Sequence, residues 1–121
     1  MNTLDLFSKE TDLEEYASGQ IIFEQGQPGR QMYVIKGGEI EIKVGDGTLM
    51  TLAAGEIFGE MALIDSSPRS GTAVAKTDCS LIPIDEKRFT FLVQQTPFFS
   101  LHVMRILAHR LRKMNDILAH E

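Results

Sequence analysis

The sequence predicts a mainly β fold with flanking helices, in which an antiparallel β-roll of the jelly-roll type is followed by C-terminal helices. Over about residues 13–84, short apolar runs alternate with glycines, which is typical of short strands joined by tight turns. All ten glycines lie between Gly19 and Gly71. Over about residues 85–120, apolar residues instead recur at spacings of three and four, the period of a helix. We therefore expect one domain over residues 1–121.

The strands are defined by alternation and by turn residues. Ile40, Ile42 and Val44 alternate with charged residues, as in a half-buried strand. Gly45-Asp46-Gly47 and a second run over Thr48–Leu52 follow, so we predict a β-hairpin here. The other strand candidates are Gln20–Phe23, Met32–Ile35, Glu56–Phe58, Thr72–Ala75 and Cys79–Ile84.

The helical part begins with Asp85 and Glu86, whose carboxylates favour the unpaired amides of a helix start. Pro97 interrupts the pattern and suits the first turn of a new helix, which we place from about Phe98 to His120. We expect its apolar stripe to be buried against the β part, against another chain, or against both; its members are Leu101, Met104, Leu107, Ala108, Leu111, Met114 and Leu118. A short N-terminal helix is predicted around Leu4, Leu6 and Phe7.

Composition excludes several classes of protein. The hydrophobic fraction of 43% and charged fraction of 24% are ordinary globular values and argue against wholesale disorder. Cys79 is the single cysteine, so no intramolecular disulfide can form, and we expect a cytoplasmic location. No apolar run reaches the roughly 18 residues of a membrane helix, so no membrane partner is expected.

Charge argues against direct nucleic-acid binding, since the chain carries a net charge of −5. The balance is uneven, with a net −7 over residues 1–96 and +2 over residues 97–121. The basic C-terminal helix could face solvent, an acidic partner or a phosphate.

One segment has the pattern of an anion site. A strand leads through Gly59 into a short apolar helical turn, and a loop then reaches Pro68-Arg69-Ser70. Glycine permits close backbone approach to a ligand, and the first helical turn offers unpaired amides. Arg69 supplies a planar donor fork suited to a phosphate, and Glu60 can accept hydrogen bonds from a sugar hydroxyl. An anion joined to a hydroxylated ring would fit this set.

The run FGEMALIDSSPRSGTAVA at residues 58–75 resembles the phosphate-binding cassette of the cyclic-nucleotide-binding domain family. That family includes bacterial catabolite activators, regulatory subunits of cAMP-dependent kinases and nucleotide-gated channels. The turns at Glu24-Gln25-Gly26, Gly37-Gly38-Glu39 and Gly55-Glu56 also lie where the family has turns. The resemblance covers about Leu13 to Leu118 and implies the β-roll, with a cassette over residues 58–70.

The resemblance implies a role for each matching residue. Arg69 matches the arginine that binds the cyclic phosphate, and Glu60 matches the glutamate that holds the ribose 2′-hydroxyl. Ser70 matches a position where a hydroxyl reaches the phosphate or the base, which leaves cAMP and cGMP both open. The other nucleotide-binding positions of the cassette are Phe58, Gly59, Met61 and Ala62. An apolar wall is implied at Phe23, Ile42, Met50 and Leu52, and base contacts from the long helix at Arg110, Met114 and Asn115.

The expected function is a non-catalytic receptor for a cyclic nucleotide, cAMP in preference to cGMP, without a cofactor. Since the chain ends where an output domain would begin, we expect a stand-alone domain that signals to an unknown protein partner in trans, or through a homodimer formed by the C-terminal helix. The alternatives are a nucleotide-independent interaction scaffold and a truncated nucleotide-responsive transcription regulator.

A metal-dependent enzyme of the cupin type is disfavoured, because such sites need clustered histidines on strands. The three histidines, His102, His109 and His120, all lie in the predicted C-terminal helix. Cys79 is expected to be a small buried apolar residue and not a nucleophile.

Overall fold

The computed structural model describes residues 3–7 and 9–119, so His120 lies outside the described residues. The chain divides into two compact units, residues 1–86 and 87–121. The elements are, in order, α1 (Thr3–Leu6), β1 (Glu14–Tyr16), β2 (Ile21–Phe23), β3 (Gln31–Gly37), β4 (Ile40–Val44), β5 (Gly47–Leu52), β6 (Ile57–Phe58), α2 (Met61–Ile64), β7 (Thr72–Ala75), β8 (Cys79–Asp85), α3 (Glu86–Gln95) and α4 (Phe98–Ala119).

The first unit holds the strands, which form two four-stranded antiparallel sheets in the orders β1-β8-β3-β6 and β2-β7-β4-β5. One apolar core contains residues of both sheets, including Tyr33, Ile35 and Leu81 from the first and Ile40 and Ala73 from the second. The predicted mainly β fold with flanking helices is therefore confirmed.

The two sheets differ in how their faces are covered. In β3 the consecutive residues from Met32 to Ile35 are all buried, so this strand of the first sheet is covered on both faces. In β7 of the second sheet, burial alternates between half-buried Thr72 and Val74 and buried Ala73 and Ala75. Alternation of this kind belongs to a sheet with one face packed on the core.

The predicted hairpin is confirmed, since β4 pairs with β5 and Val44 lies opposite Gly47. Gly45 in the turn has a φ of 60°, which glycine adopts at no steric cost. Strand β1 was missed because Glu-Glu-Tyr contains no apolar run. It forms by pairing with β8, where the Ser80 hydroxyl donates a hydrogen bond of 2.6 Å to the Glu15 carboxylate.

The second unit consists of α3 and α4, which begin where the acidic pair and Pro97 predicted. The rings of Phe89 and Phe99 meet edge to face at 5.5 Å between centroids. Within α4, Phe99 and Val103 are buried, although neither was placed in the predicted stripe. Among the stripe residues, Met104, Leu111 and Leu118 are 56%, 63% and 61% exposed, so the chain itself does not bury them. Within the part of the chain that is described, no helix has the length and hydropathy to span a bilayer.

Candidate functional site

The candidate site begins where β6 ends. Gly59 has a φ of 77°, a backbone conformation that a residue with a side chain rarely adopts. A Cβ atom on Gly59 would also lie 2.8 Å from the Nη1 atom of Arg69. Both facts require glycine here, and the turn that it makes leads directly into the four-residue helix α2. The predicted order of strand, glycine and short helix is confirmed.

Arg69 is the central side chain of the site and is only 7% exposed. Its Nη1 donates a hydrogen bond of 3.0 Å to the Gly59 carbonyl, and its Nη2 donates one of 2.8 Å to the Gln31 carbonyl. Its Nε is the one buried side-chain nitrogen or oxygen atom without a hydrogen-bond partner among the described residues. An unsatisfied buried donor is costly, so this N–H group is a candidate for contact with a ligand.

Burial lowers the pKa of Arg69, and electrostatic interactions with Tyr33 and Glu60 oppose that lowering. A guanidinium has so high an ordinary pKa that the side chain keeps its positive charge at neutral pH. A buried positive charge favours an anion at this point of the roll.

The turn between β2 and β3 holds the main chain of Arg69. The Gly26 amide donates to the Arg69 carbonyl and the Arg69 amide donates to the Gln27 carbonyl, each over 2.8 Å. Gln25 links the same turn to β7 and to the β4–β5 hairpin, through the Thr72 hydroxyl and the Gly45 amide. The position of Arg69 is therefore defined by the second sheet as well as by the cassette.

Glu60 is the second buried charged residue of the roll, with 6% of its surface exposed. It precedes α2, and its carbonyl accepts hydrogen bonds from the amides of Leu63 and Ile64. Burial lowers the pKa of Arg69 and the Glu60 carboxylate opposes that lowering, so the two side chains interact electrostatically. The structure thus brings together the carboxylate and the guanidinium that the sequence singled out.

The remaining cassette residues differ in their exposure to solvent. Phe58 and Ala62 are buried, whereas Met61 is 49% exposed and Ser70 is exposed. The Ser70 hydroxyl lies 3.7 Å from the sulfur of Met61. The expected apolar wall lines the roll, with Leu52 in the core and the other three members packed against it: Phe23, Ile42 and Met50.

The three base-contact candidates lie elsewhere in the chain, in the second unit. Arg110 and Met114 are half-buried on α4, and Asn115 is exposed. Their role stays a prediction.

Sequence reasoning missed two groups that surround Arg69. One is the main-chain carbonyl of Gln31, which the sequence cannot indicate because every residue has such a carbonyl. The other is Gly29, where any side-chain carbon would overlap the Arg69 guanidinium. The predicted turn at Glu24-Gln25-Gly26 indicated a tight loop near Gly29 but not the contact of Gly29 with a residue forty positions later.

Metal-binding groups are not clustered in the described part of the chain, where no three His, Cys, Asp or Glu residues could share an ion. His102 and His109 lie on α4, and His120 is outside the described residues. Cys79 is buried in a strand, and burial raises the pKa of its thiol, which disfavours the reactive thiolate.

The chain is similar in sequence to known proteins. The sequence model of the family described as "Cyclic nucleotide-binding domain" matches residues 13–96. The cyclic AMP receptor protein of Thermus thermophilus is 33% identical over 114 residues, which are 88% of this chain and 53% of that protein. The chain spans about half the length of the curated relatives it matches.

Solved structures of similar chains have the same fold. The catabolite activator protein of Thermus thermophilus superposes with a TM-score of 0.82 at 31% identity, over 96% of this chain and 57% of that one. A second structure is described by the words "A cyclic-GMP-dependent signalling pathway regulates bacterial phytopathogenesis". It superposes with a TM-score of 0.79 at 34% identity, over 91% of both chains. The two superpositions each cover more than nine-tenths of this chain.

Proposed function

The chain belongs to the cyclic nucleotide-binding domain family, and from this premise we propose that it is a non-catalytic receptor that binds cAMP in preference to cGMP. The observation that carries the proposal is the buried guanidinium of Arg69, whose Nε–H has no partner within the roll. An anionic phosphodiester would supply the missing acceptor and a compensating charge.

The ligand groups are assigned to the two buried charged side chains. The cyclic phosphate binds Arg69, and the ribose 2′-hydroxyl donates to the Glu60 carboxylate. Main-chain groups of Gly59, Met61 and Ala62 surround the ribose phosphate. The Ser70 hydroxyl is exposed and therefore accessible to the ligand.

The choice of cAMP rests on the relatives. The protein from Thermus thermophilus is named a cyclic AMP receptor, and it is similar over most of this chain. The similar structure whose description names a cyclic-GMP-dependent signalling pathway is the reason to test both nucleotides. A cytoplasmic location stays a prediction from the single cysteine.

Signalling is assigned to α4. Its apolar seam, defined as Met104, Leu107, Leu111, Met114 and Leu118, follows alternating spacings of three and four. Spacings of this kind are typical of helices that pair with each other. Since Met104, Leu111 and Leu118 are exposed in the single chain, we propose that a second copy covers the seam in a homodimer. A ligand that binds one conformation more tightly shifts the population toward it and so changes the partner surface.

Isothermal titration of the purified chain with cAMP, cGMP and 5′-AMP tests the proposal. Binding of cAMP at micromolar or lower Kd, with cGMP and 5′-AMP at least about tenfold weaker, is the expected result. Tighter binding of cGMP would overturn the choice of ligand. Binding of 5′-AMP as tight as that of cAMP would overturn the cyclic-nucleotide assignment, and binding of none of the three would overturn the receptor function.

A further inference from the structure

An aromatic ring lies against the guanidinium of Arg69. The Cζ atom of Arg69 is 4.0 Å from the centroid of the Phe23 ring, which is close for a cation–π contact. Phe23 is itself held by two neighbouring rings, with its centroid 5.9 Å from that of Phe58 and 6.2 Å from that of Tyr33. Tyr33 and Phe58 stack on each other at 5.1 Å. The ring beside Arg69 is therefore part of a packed cluster.

The guanidinium is restrained in two different ways. Hydrogen bonds from its two terminal nitrogens to the carbonyls of Gly59 and Gln31 fix its position within its own plane. The Phe23 ring restrains motion out of that plane, because the attraction depends on the cation staying over the ring. The Gly29 main chain lies so close that a side chain there would overlap the guanidinium. Nε is then the one nitrogen of the group left without a partner.

We propose that Phe23 is a positioning residue for ligand binding, whose ring holds the Arg69 guanidinium so that its Nε–H stays available to an anionic phosphodiester. The proposal rests on the function proposed above for its ligand, but the coupling between Phe23 and Arg69 can be measured without any ligand. It differs from the sequence-based expectation, in which Phe23 was one member of an apolar wall. A wall residue would act on the whole ligand, whereas a positioning residue acts through Arg69 alone.

Two substitutions separate these roles. Phe23→Leu keeps an apolar side chain in the cluster but removes the π face, and Phe23→Tyr keeps the face. Phe7→Leu is the matched control, because it makes the same change at a buried phenylalanine outside the aromatic cluster. Thermal unfolding of all three variants establishes that each is folded before any other measurement.

The first measurement is the NMR resonance of the Arg69 Nε–H group in chain labelled with ¹⁵N-arginine, assigned by its loss in Arg69→Lys. A proton held near an aromatic face is displaced by the ring current from the range of the exposed arginines. We expect this displacement in the wild type, in Phe23→Tyr and in Phe7→Leu, and its loss in Phe23→Leu. A resonance that is the same in Phe23→Leu and in the wild type would overturn the proposal, whatever the chain binds.

The second measurement is the affinity for cAMP and for adenosine, which has the base and ribose but no phosphate. We expect Phe23→Leu to weaken cAMP binding by about three- to tenfold and to leave adenosine binding unchanged. Phe23→Tyr should restore cAMP affinity to within about twofold of the wild type. Equal weakening of both ligands would overturn the positioning role and leave Phe23 as a wall residue. A wild type that binds no cyclic nucleotide would overturn the proposed function instead, and the Arg69 resonance would still decide whether the Phe23 ring lies against the guanidinium.

Discussion

In the roll, the charged side chains of Glu60 and Arg69 are buried, whereas on α4 the apolar side chains of Met104, Leu111 and Leu118 are exposed. Both regions depart from the usual distribution, in which charged residues face water and large apolar residues do not. One departure is buried charge and the other is exposed apolar surface, and their energetic costs differ. A buried charge loses its hydration, while an exposed apolar side chain forgoes roughly 25 cal/mol for each square ångström that could be buried.

The difference indicates what each region lacks. A buried cation with an unpartnered N–H calls for an anion small enough to reach the inside of the roll. An exposed seam at helical spacing calls for a second apolar surface of similar length. We therefore propose a small-molecule site in the roll and a protein interface on α4. Single substitutions can remove one departure at a time, and the largest effect is expected at Arg69.

Arg69→Ala removes the buried positive charge, and we expect the Kd for cAMP to rise by at least about tenfold and by up to about a hundredfold. The reason is the loss of a charge-assisted hydrogen bond, which contributes about 1.5–3 kcal/mol. Isothermal titration measures the change. Arg30→Ala is the matched control, since Arg30 is an exposed arginine of the same roll and should leave the affinity within about twofold.

Because Arg69 also donates to two main-chain carbonyls, the alanine variant is expected to unfold at a lower temperature. Arg69→Lys, which keeps a donor and the charge, is the second variant. A folded Arg69→Ala chain that binds cAMP as tightly as the wild type would contradict the site.

Leu111→Lys places a charge at the centre of the exposed seam, and we expect it to raise the dimer dissociation constant by about ten- to thirtyfold. Each chain loses the partial burial of one leucine side chain, about 1 kcal/mol, and the loss is counted twice in a symmetric dimer. Sedimentation of the 13.5 kDa chain over a range of concentrations measures the association. His109→Lys adds the same residue at an exposed position of α4 outside the seam and should leave the association unchanged. A wild type that sediments as a monomer at every concentration, with and without cAMP, would refute the dimer.

Glu60→Gln keeps the shape of the second buried side chain but removes its charge, and we expect cAMP to bind about five- to tenfold more weakly. The ribose 2′-hydroxyl would then donate to a neutral acceptor, and hydrogen bonds to charged groups are roughly twice as strong. The affinity for 2′-deoxy-cAMP should be the same in the variant and the wild type, because that ligand has no hydroxyl to donate. Glu24→Gln, at an exposed glutamate, is the matched control. An equal loss of affinity for both ligands would show that Glu60 acts on Arg69 and not on the ribose.

The local pattern of apolar residues and glycines in the sequence was enough to predict most of the fold. Strand β4 and its hairpin follow from alternation and from a glycine that favours a positive φ, both properties of a few adjacent residues. Strand β1 could not be predicted in this way, because Glu14 and Glu15 have low β propensity and the strand exists through its pairing with β8. On α4 the period of the apolar residues gave a helix of nearly the right length. It could not tell Phe99 and Val103, which the chain buries, from Leu111, which it leaves exposed.

The candidate site could be predicted where its residues are close together in the sequence. Gly59, Glu60 and Arg69 lie within eleven residues, so one segment of sequence carries the charged groups and the glycine turn between them. The Gly59 carbonyl, which accepts from the Arg69 side chain, lies in that segment, but the second acceptor is the main-chain carbonyl of Gln31, which comes from outside it and which any residue could provide. Contacts of that kind have no sequence signal, and so the restraint on the guanidinium became visible only in the structure.

Tyr16 provides a contrast within the roll, because it is a partly buried polar residue whose partner is already present. Its hydroxyl donates a hydrogen bond of 2.8 Å to the Glu14 carboxylate. Burial, together with that carboxylate, raises the pKa of Tyr16 well above its ordinary value of about 10. We therefore expect Tyr16 to affect the free energy of unfolding and not the affinity for cAMP.

The sign of the pH dependence follows from proton binding. Above about pH 10 the unfolded chain loses the Tyr16 proton while the native chain keeps it, so the native state binds more protons and stability falls as the pH rises. The contribution of Tyr16 is fully present below pH 10. Tyr16→Phe should thus lower the free energy of unfolding by about 0.5–1.5 kcal/mol at pH 7, through loss of the hydrogen bond, and by less at pH 11. Urea unfolding of both chains at the two pH values measures the difference, and comparing the chains cancels the like-signed contribution of Cys79, whose pKa burial also raises. A difference that is the same at pH 7 and pH 11 would mean that the pKa of Tyr16 is the same in the native and unfolded chains, and it would contradict the raised pKa.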